Sequence, residues 1–508
     1  MKRPERFRPI VFAIAAAFLP AGCARLFDRP AGGEPYRPNP AVIRAMESML
    51  ARVPEAAADP TRPAYHFSAP AQWMNDINGV LHYKGFYHIF YQFNPYSDQW
   101  GTMHWGHARS RDLVHWEHLP IALWPSREKG EEHVFSGCLT LNAANQPIIF
   151  YTSIGHPLPE QWAALGSEDL LVWEKYAGNP ILKMDNHGGL SIEEWRDPFV
   201  FRAHGKTYLV LGGRLPAGEG SPAAAFLYEA RQDDLLTWAY RGILFRHPDP
   251  KLHSIECPNF FPLDGRFVLL ISPYGPVEYF VGDFDAKQGT FRAHRRGLAD
   301  YGEDFYGTNV LIDRRGRRIL LGWLRGFQNT KGWNGCMSLP RILTLTDKGE
   351  LLQTPAPELK SLRGPLWQRK QILLENQRIP LDIRGKQLEI KMKIAPAGAG
   401  ECGLIVRCKQ DGTGGLAITR QADRLTVGGR EVPLPDNEPV ELHLFLDNSV
   451  VEIFINNGRQ CISRVLAPCP EQDSDYVCLF SNNGQAYFKS IRIWKLNSID
   501  KQASLPHK

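Results

Sequence analysis

Apolar runs in this chain come in pairs that flank tight turns. Val80-Leu81-His82-Tyr83 and Phe86-Tyr87-His88-Ile89-Phe90 surround Gly85, and Phe199-Val200-Phe201 and Tyr208-Leu209-Val210-Leu211 surround Gly205. Similar pairs surround Gly265 and Gly316, and a glycine-free turn at Ala143-Ala144-Asn145 separates Leu139-Thr140-Leu141 from Ile148-Ile149-Phe150-Tyr151. Successive turns, taking Asn145 for the second, lie 60, 60, 60 and 51 residues apart. A second series keeps nearly the same period. Ser110-Arg111-Asp112-Leu113-Val114-His115-Trp116 returns as Ser167-Glu168-Asp169-Leu170-Leu171-Val172-Trp173 and, more loosely, between Gln232 and Trp238. A strand–turn–strand unit cannot bury both its faces alone, so units at a fixed period stack side by side. Five of them predict a five-bladed β-propeller over residues 65–355. Two independent series sharing one period argue against five unrelated hairpins.

The pattern then changes. Prolines at 355, 357 and 365 mark residues 356–370 as a linker. Beyond it, Gln387-Leu388-Glu389-Ile390-Lys391-Met392 and Val440-Glu441-Leu442-His443-Leu444 alternate apolar and polar residues, as half-buried antiparallel strands do. Asn456-Asn457-Gly458 and Asn482-Asn483-Gly484 are hairpin turns. The expected fold is therefore all-β: a propeller followed by a C-terminal β-sandwich over 371–498, with a tail at 499–508. Ahead of the propeller, residues 23–64 read as a Pro-rich lead-in holding a short amphipathic helix from Pro40 to Val53. Residues 1–22 read as a signal peptide: Lys2, Arg3, Arg6 and Arg8 precede a ten-residue apolar run, Ile10 to Leu19, too short to span a bilayer. Pro20-Ala21-Gly22-Cys23 resembles the end of a bacterial lipoprotein signal, which makes Cys23 the candidate lipidation site. Pro20 stands where such signals usually have Leu. The expected destination is the cell envelope, or secretion.

Composition narrows the function classes. Of 508 residues only 22% are charged and 11% are aromatic, which excludes global disorder. The net charge of +5 comes without any basic stripe beyond the first ten residues, so no nucleic-acid partner is expected. Membrane contact is expected only through the lipid anchor. The nine cysteines include no CxxC pair and no Cys/His zinc spacing, so buried thiols are the default, with a disulfide in the last 110 residues compatible with export.

Candidate chemistry follows from laying the acids on the repeat. Asp76 precedes Gly85 by nine residues, Asp197 precedes Gly205 by eight and Glu256 precedes Gly265 by nine. Ser136 and Gly307, beside Tyr306, hold the matching places in the other two units. Rotation about a propeller axis brings such positions together, so three carboxylates converge on the central funnel. Their repulsion and desolvation oppose folding and call for a metal or for acid/base work. Each acid has a different neighbour, Asn75, Arg196 or Cys257, and different surroundings separate pKa values. Acid/base chemistry is the expectation, with no metal and no cofactor.

Trp73-Met74-Asn75-Asp76-Ile77-Asn78-Gly79, Arg196-Asp197-Pro198 and Glu256-Cys257-Pro258 resemble the three signature motifs of glycoside hydrolase family 32. The family comprises invertases, levanases, exo-inulinases and related fructosyltransferases. The likeness extends through Phe90-Tyr91-Gln92, Trp100-Gly101, Phe135-Ser136-Gly137 and Gly332-Trp333 to Pro340-Arg341. It implies a propeller and sandwich, and a retaining β-fructosidase acting on sucrose or fructans through a covalent fructosyl-enzyme. Asp76 matches the nucleophile, Glu256 the general acid/base and Asp197 the transition-state stabiliser. Asn75, Gln92, Trp100, Phe135, Ser136, Arg196 and Trp323 match the fructose subsite. On this reading burial and facing acids hold Glu256 protonated, hydrogen bonds from Asn75 and backbone keep Asp76 charged, and Arg196 binds ring hydroxyls. Ile77 replaces the family's usual Pro, and Cys138 a Ser or Ala, which puts substrate preference in question. The alternatives are an arabinan- or xylan-active propeller, a fructosyltransferase and a non-catalytic fructan-binding lipoprotein.

Overall fold

The computed structural model describes residues 39–216, 222–328, 331–466 and 475–499. The signal-peptide segment, Cys23, Cys469 and the tail beyond residue 499 lie outside the described residues.

Five sheets follow one another around a ring. Their first strands are β1 (Gln72–Tyr83), β2 (His133–Leu141), β3 (Glu194–Ala203), β4 (Glu256–Leu263) and β5 (Phe305–Ile312). Each packs against the first strands of the two adjacent blades, so all five line the centre. The ring closes where Trp333 and Asn334, returning from the fifth blade, pair in parallel with Gln72 and Trp73 of β1. The turn residues behave as their types require: Gly85, Asn145, Gly205, Gly265 and Gly316 all have positive φ, between 59° and 81°. The second repeat proves to be the turn into the outer strand of each of the first three blades. Leu113, Leu170 and Leu235 share φ of 62° to 65°, an unusual conformation for leucine. The preceding Asp112, Asp169 and Asp234 stabilise it by accepting backbone N–H bonds from Val114, Leu171 and Leu236. Aromatic rings fill the seam between the third and fourth blades, where Phe201 meets Phe260 edge-on at 4.9 Å.

The sandwich has two six-stranded sheets. One contains, in spatial order, β6 (Arg363–Glu375), β9 (Gln485–Leu496), β7 (Gln387–Ala397) and β8 (Val440–Asp447). Residues 356–370, read as a linker, are instead ordered secondary structure: a 3₁₀ turn at Pro357–Leu362 and the beginning of β6. Leu359 and Leu362 are buried with Tyr65, Val114, Phe445, Phe454 and Trp494 at the junction of the two domains. Pro357 opens a helical turn that needs no N–H there, and Pro365 sits on an edge strand at a break in pairing. The lead-in helix runs Pro40–Ala58, through Pro54, and its Val42, Met46, Met49 and Val53 are buried against the first blade. The seven described cysteines are buried free thiols, with the Cys408 and Cys478 sulfurs 3.4 Å apart.

A buried ionic network ties the two domains together. The His66 ring contacts Asp447 through Nδ1 (2.8 Å) and Glu452 through Nε2 (3.1 Å), while Arg341 binds Glu452 and Asp300. Burial opposes the imidazolium, but hydrogen bonds to Asp447 and Glu452, and their charges, outweigh it and push His66 up to about 9. Because the folded pKa lies above the unfolded one, this contribution is complete below pH 6.5 and is lost as pH rises to about 9. Urea unfolding across that window is expected to show a fall of about 3 kcal/mol. His66→Gln should lose that slope; an identical slope in the variant would refute the assignment.

Candidate active site

Every inner strand is irregular where it reaches the funnel. Pairing with the next strand slips between Met74 and Ile77, Val134 and Gly137, Arg196 and Phe199, Glu256 and Asn259, and Tyr306 and Asn309. Asp197, Cys257 and Gly307 adopt φ of 63°, 46° and 48° at these bulges. In a regular strand neighbouring side chains face opposite sides. The bulges re-aim them, so Arg196 and Asp197, and likewise Glu256 and Cys257, all meet within one constellation.

The residues at these five breaks converge, but the register aligns Glu256 with Arg196 and Tyr306, and Asp197 with Cys257 and Gly307, one residue away from the equivalence that the turn spacing suggests. Asp76 Oδ2 accepts a 2.7 Å hydrogen bond from Ser136 Oγ and lies 3.4 Å from Cys257 Sγ. Gly307 closes the other side of the carboxylate. A Cβ there would stand 2.3 Å from Asp76 Oδ1 and 3.0 Å from its Cα. Gly307→Ala is therefore expected to displace Asp76 and cut kcat about a hundredfold, as misplacement of a reacting group does. Steady-state kinetics beside a melting curve would check this, and unchanged kcat would show that the contact is harmless.

Electrostatics differ from the expectation at Asp76. Burial raises Asp76, the nearby Glu256 charge adds to it, and the hydrogen bonds from Ser136, Asn75 and Cys257 offset only part. Hydrogen bonding thus does not hold this carboxyl at its ordinary value. Glu256 faces Asp76 and Asp197 but also has a cation and a phenol as direct partners. Its Oε1 accepts from Arg196 Nη2 at 2.7 Å and its Oε2 from the Tyr306 hydroxyl at 2.7 Å. Arg196 also reaches Glu194 and the Tyr274 hydroxyl, so in this structure its guanidinium serves carboxylates. Asp197 is buried, and burial together with the Glu256 and Asp76 charges pushes it up to about 7 against the pull of Arg196. The Cys257 backbone N–H donates to it at 2.9 Å. Burial and the three carboxylates push the Cys257 thiol well up, so it stays protonated and spans Asp76 (3.4 Å) and Asp197 (3.7 Å).

The remaining predicted residues surround this cluster to different degrees. Trp73 Nε1 orients Asn75 through a 2.7 Å bond to its Oδ1. Gln92 is buried and donates to the Val134 carbonyl at the entry to β2. Trp100 is 53% exposed and lies beside His133, tilted, and Phe135, edge-on, with ring centroids 5.2 and 6.3 Å away. Trp323 packs edge-on against Trp73 at 5.7 Å. Ile77 and Cys138, the two departures from the family pattern, are buried in hydrophobic cores, so their bearing is on packing and not on substrate contact. Tyr306, Tyr274 and Glu194 were not singled out as site residues. Tyr306 adjoins Gly307, a signal that was available, and by register it is the counterpart of Glu256 itself; Tyr274 and Glu194 fall outside the repeat.

Comparison with known proteins agrees with this arrangement. A family model described as the glycosyl hydrolases family 32 N-terminal domain matches residues 66–355, and the family's C-terminal model matches 358–495. A levanase of Bacillus subtilis is 32% identical over 86% of this chain and 71% of its own length. A sucrose-6-phosphate hydrolase of Zymomonas mobilis is 31% identical over 87% of this chain and 93% of its own. Among solved structures, a Bombyx mori GH32 β-fructofuranosidase superposes with a TM-score of 0.75 at 28% identity, covering 90% of this chain and 98% of that one. A sucrose-6-phosphate hydrolase from Lactobacillus gasseri superposes with a TM-score of 0.77 at 27% identity over 89% and 97%. With both domain models matched in order across the propeller and the sandwich, the chain belongs to glycoside hydrolase family 32.

Proposed function

We propose that the protein releases fructose from β-D-fructofuranosides, sucrose or fructans, by double displacement with retention at C2. The observation that carries this reading is the convergence of Asp76, Asp197 and Glu256 with unlike partners: neutral donors on Asp76, a guanidinium and a phenol on Glu256. Asp76 attacks C2, the bond to the leaving oxygen breaks, and Glu256 gives that oxygen its proton. In the second half Glu256 takes a proton from water, which attacks C2 and frees Asp76. Asp197 stabilises the oxocarbenium-like transition state and the fructose hydroxyls, helped by Asn75, Gln92 and Ser136. Trp100, Phe135 and Trp323 form the apolar walls. The relatives support the substrate class through their names, levanase and sucrose-6-phosphate hydrolase.

Chromatography of products from sucrose, inulin and levan, with Glu256→Gln as the blank, tests the reading. Free fructose absent from the blank supports it. Release of none would overturn it, and oligosaccharide in place of fructose would favour the transferase.

Asp197 also sets a pH dependence. Its carboxylate is needed ionised, so kcat/KM, which reports free enzyme, is expected to fall as pH drops through about 7. Asp197→Asn should lower kcat/KM and lose that limb. A limb that persists at the same pH in the variant would assign it elsewhere.

We also propose that the chain is exported with a lipid on Cys23, which metabolic labelling with palmitate, lost in Cys23→Ala, would test.

A further inference from the structure

A second polar cleft, sharing no residue with the funnel, opens where the Pro357–Leu362 turn crosses the sandwich sheet. Its volume is about 530 Å³. That is within the usual range for small-molecule sites.

Strand register gives it an unusual charge pattern. Lys391 of β7 pairs directly with Arg492 of β9 on one side and with His443 of β8 on the other. Directly opposed residues project from the same face with Cβ atoms about 5 Å apart, and like charges there destabilise a sheet. The acids in the cleft relieve this only in part. Glu389 is taken up by Arg363, through two 2.6 Å bonds, and by His443 Nε2 at 2.7 Å. Glu441 is held by Lys393 at 2.7 Å. Lys391 and Arg492, joined by Lys360 from the turn, are left with no ion-pair partner among the described residues. Burial lowers the Lys391 pKa, and although Glu389 opposes this, the Arg363, Arg492 and Lys360 charges lower it further.

A surplus of three cations about one point invites a compact dianion. An arginine fork and two ammonium groups suit phosphate oxygens. The cleft is much larger than one phosphate, and Thr354, Asn457 and Ser490 on its walls offer neutral hydrogen-bonding groups of the kind sugar hydroxyls use. We propose that this cleft binds a phosphate monoester carried on a sugar-sized polyol.

Titration calorimetry on the full chain tests this, with glucose 6-phosphate as the probe and inorganic phosphate and glucose as controls. Glucose 6-phosphate is expected to bind more tightly than either control, with an affinity that falls as salt rises. Lys391→Met and Arg492→Met should each weaken it at least tenfold and leave kcat/KM on a neutral fructoside unchanged. Both variants relieve cross-strand repulsion, so their melting temperatures without ligand should not fall. Lys360→Ala, on the exposed turn, gives a third variant that does not touch the sheet. Undiminished binding in all three variants would overturn the proposal. So would inorganic phosphate or glucose binding as tightly as the ester, or no binding of glucose 6-phosphate at all.

Discussion

Asp76→Asn is expected to lower kcat at least about ten-thousand-fold while the protein stays folded. Asparagine keeps the shape that Ser136 Oγ, Cys257 Sγ and the bare backbone of Gly307 surround, so nothing in the packing is lost. It removes one of three mutually repelling carboxylates, so the melting temperature should hold or rise. What disappears is the carboxylate assigned to form the bond to C2, because an amide oxygen is a far weaker nucleophile. Ala in place of Asn should act alike on turnover but leave a void beside Gly307. Kinetics and thermal unfolding on the same preparation check both halves. Residual activity within tenfold of the parent would move the nucleophile elsewhere.

Glu256→Gln should cost about 10²- to 10⁴-fold, and the loss should depend on the leaving group. Glutamine can still accept from Arg196 and present its amide to the Tyr306 oxygen, so the variant should keep the local geometry. It cannot protonate a poor leaving group or deprotonate water. With an activated fructoside the first step survives without an acid, and the second becomes limiting. A burst of leaving group, followed by a protein mass increased by one fructosyl unit on Asp76, is the expected signature. Equal single-turnover rates for activated and natural leaving groups would contradict the acid/base role. The two variants together separate the functions, since only Glu256→Gln should accumulate the intermediate.

Much of this site could be read from residue order. The acids keep their place to within one residue relative to turns at Gly85, Gly205 and Gly265, and turn position is a local property that a short stretch of chain decides. The direct partners of Glu256 were not legible, for a non-local reason. Its partners, Arg196 and Tyr306, lie 60 and 50 residues away, and nothing in the composition near Glu256 reports them. The reading of 356–370 as a linker failed in the same way. Prolines signal a break in regular structure, but Leu359 and Leu362 find a hydrophobic cluster assembled from residues between 65 and 496.

By itself, then, the sequence determined the all-β class, the fivefold repeat, the turn conformations and, to within one residue, the level at which Asp76, Ser136, Asp197, Glu256 and Gly307 enter the funnel. These depend on hydrophobic periodicity and on which residues tolerate positive φ, both short-range effects. Only the tertiary structure decided which side chains share the funnel face. The bulges at Asp197 and Cys257 override the two-residue alternation of a strand, and what holds them are hydrogen bonds across blades, such as the Cys257 N–H to Asp197 Oδ2. It likewise decided the pairing of Lys391 with Arg492, residues about a hundred positions apart whose encounter depends on strand register. Register and bulge position are set by packing against distant chain, where the local pattern is silent.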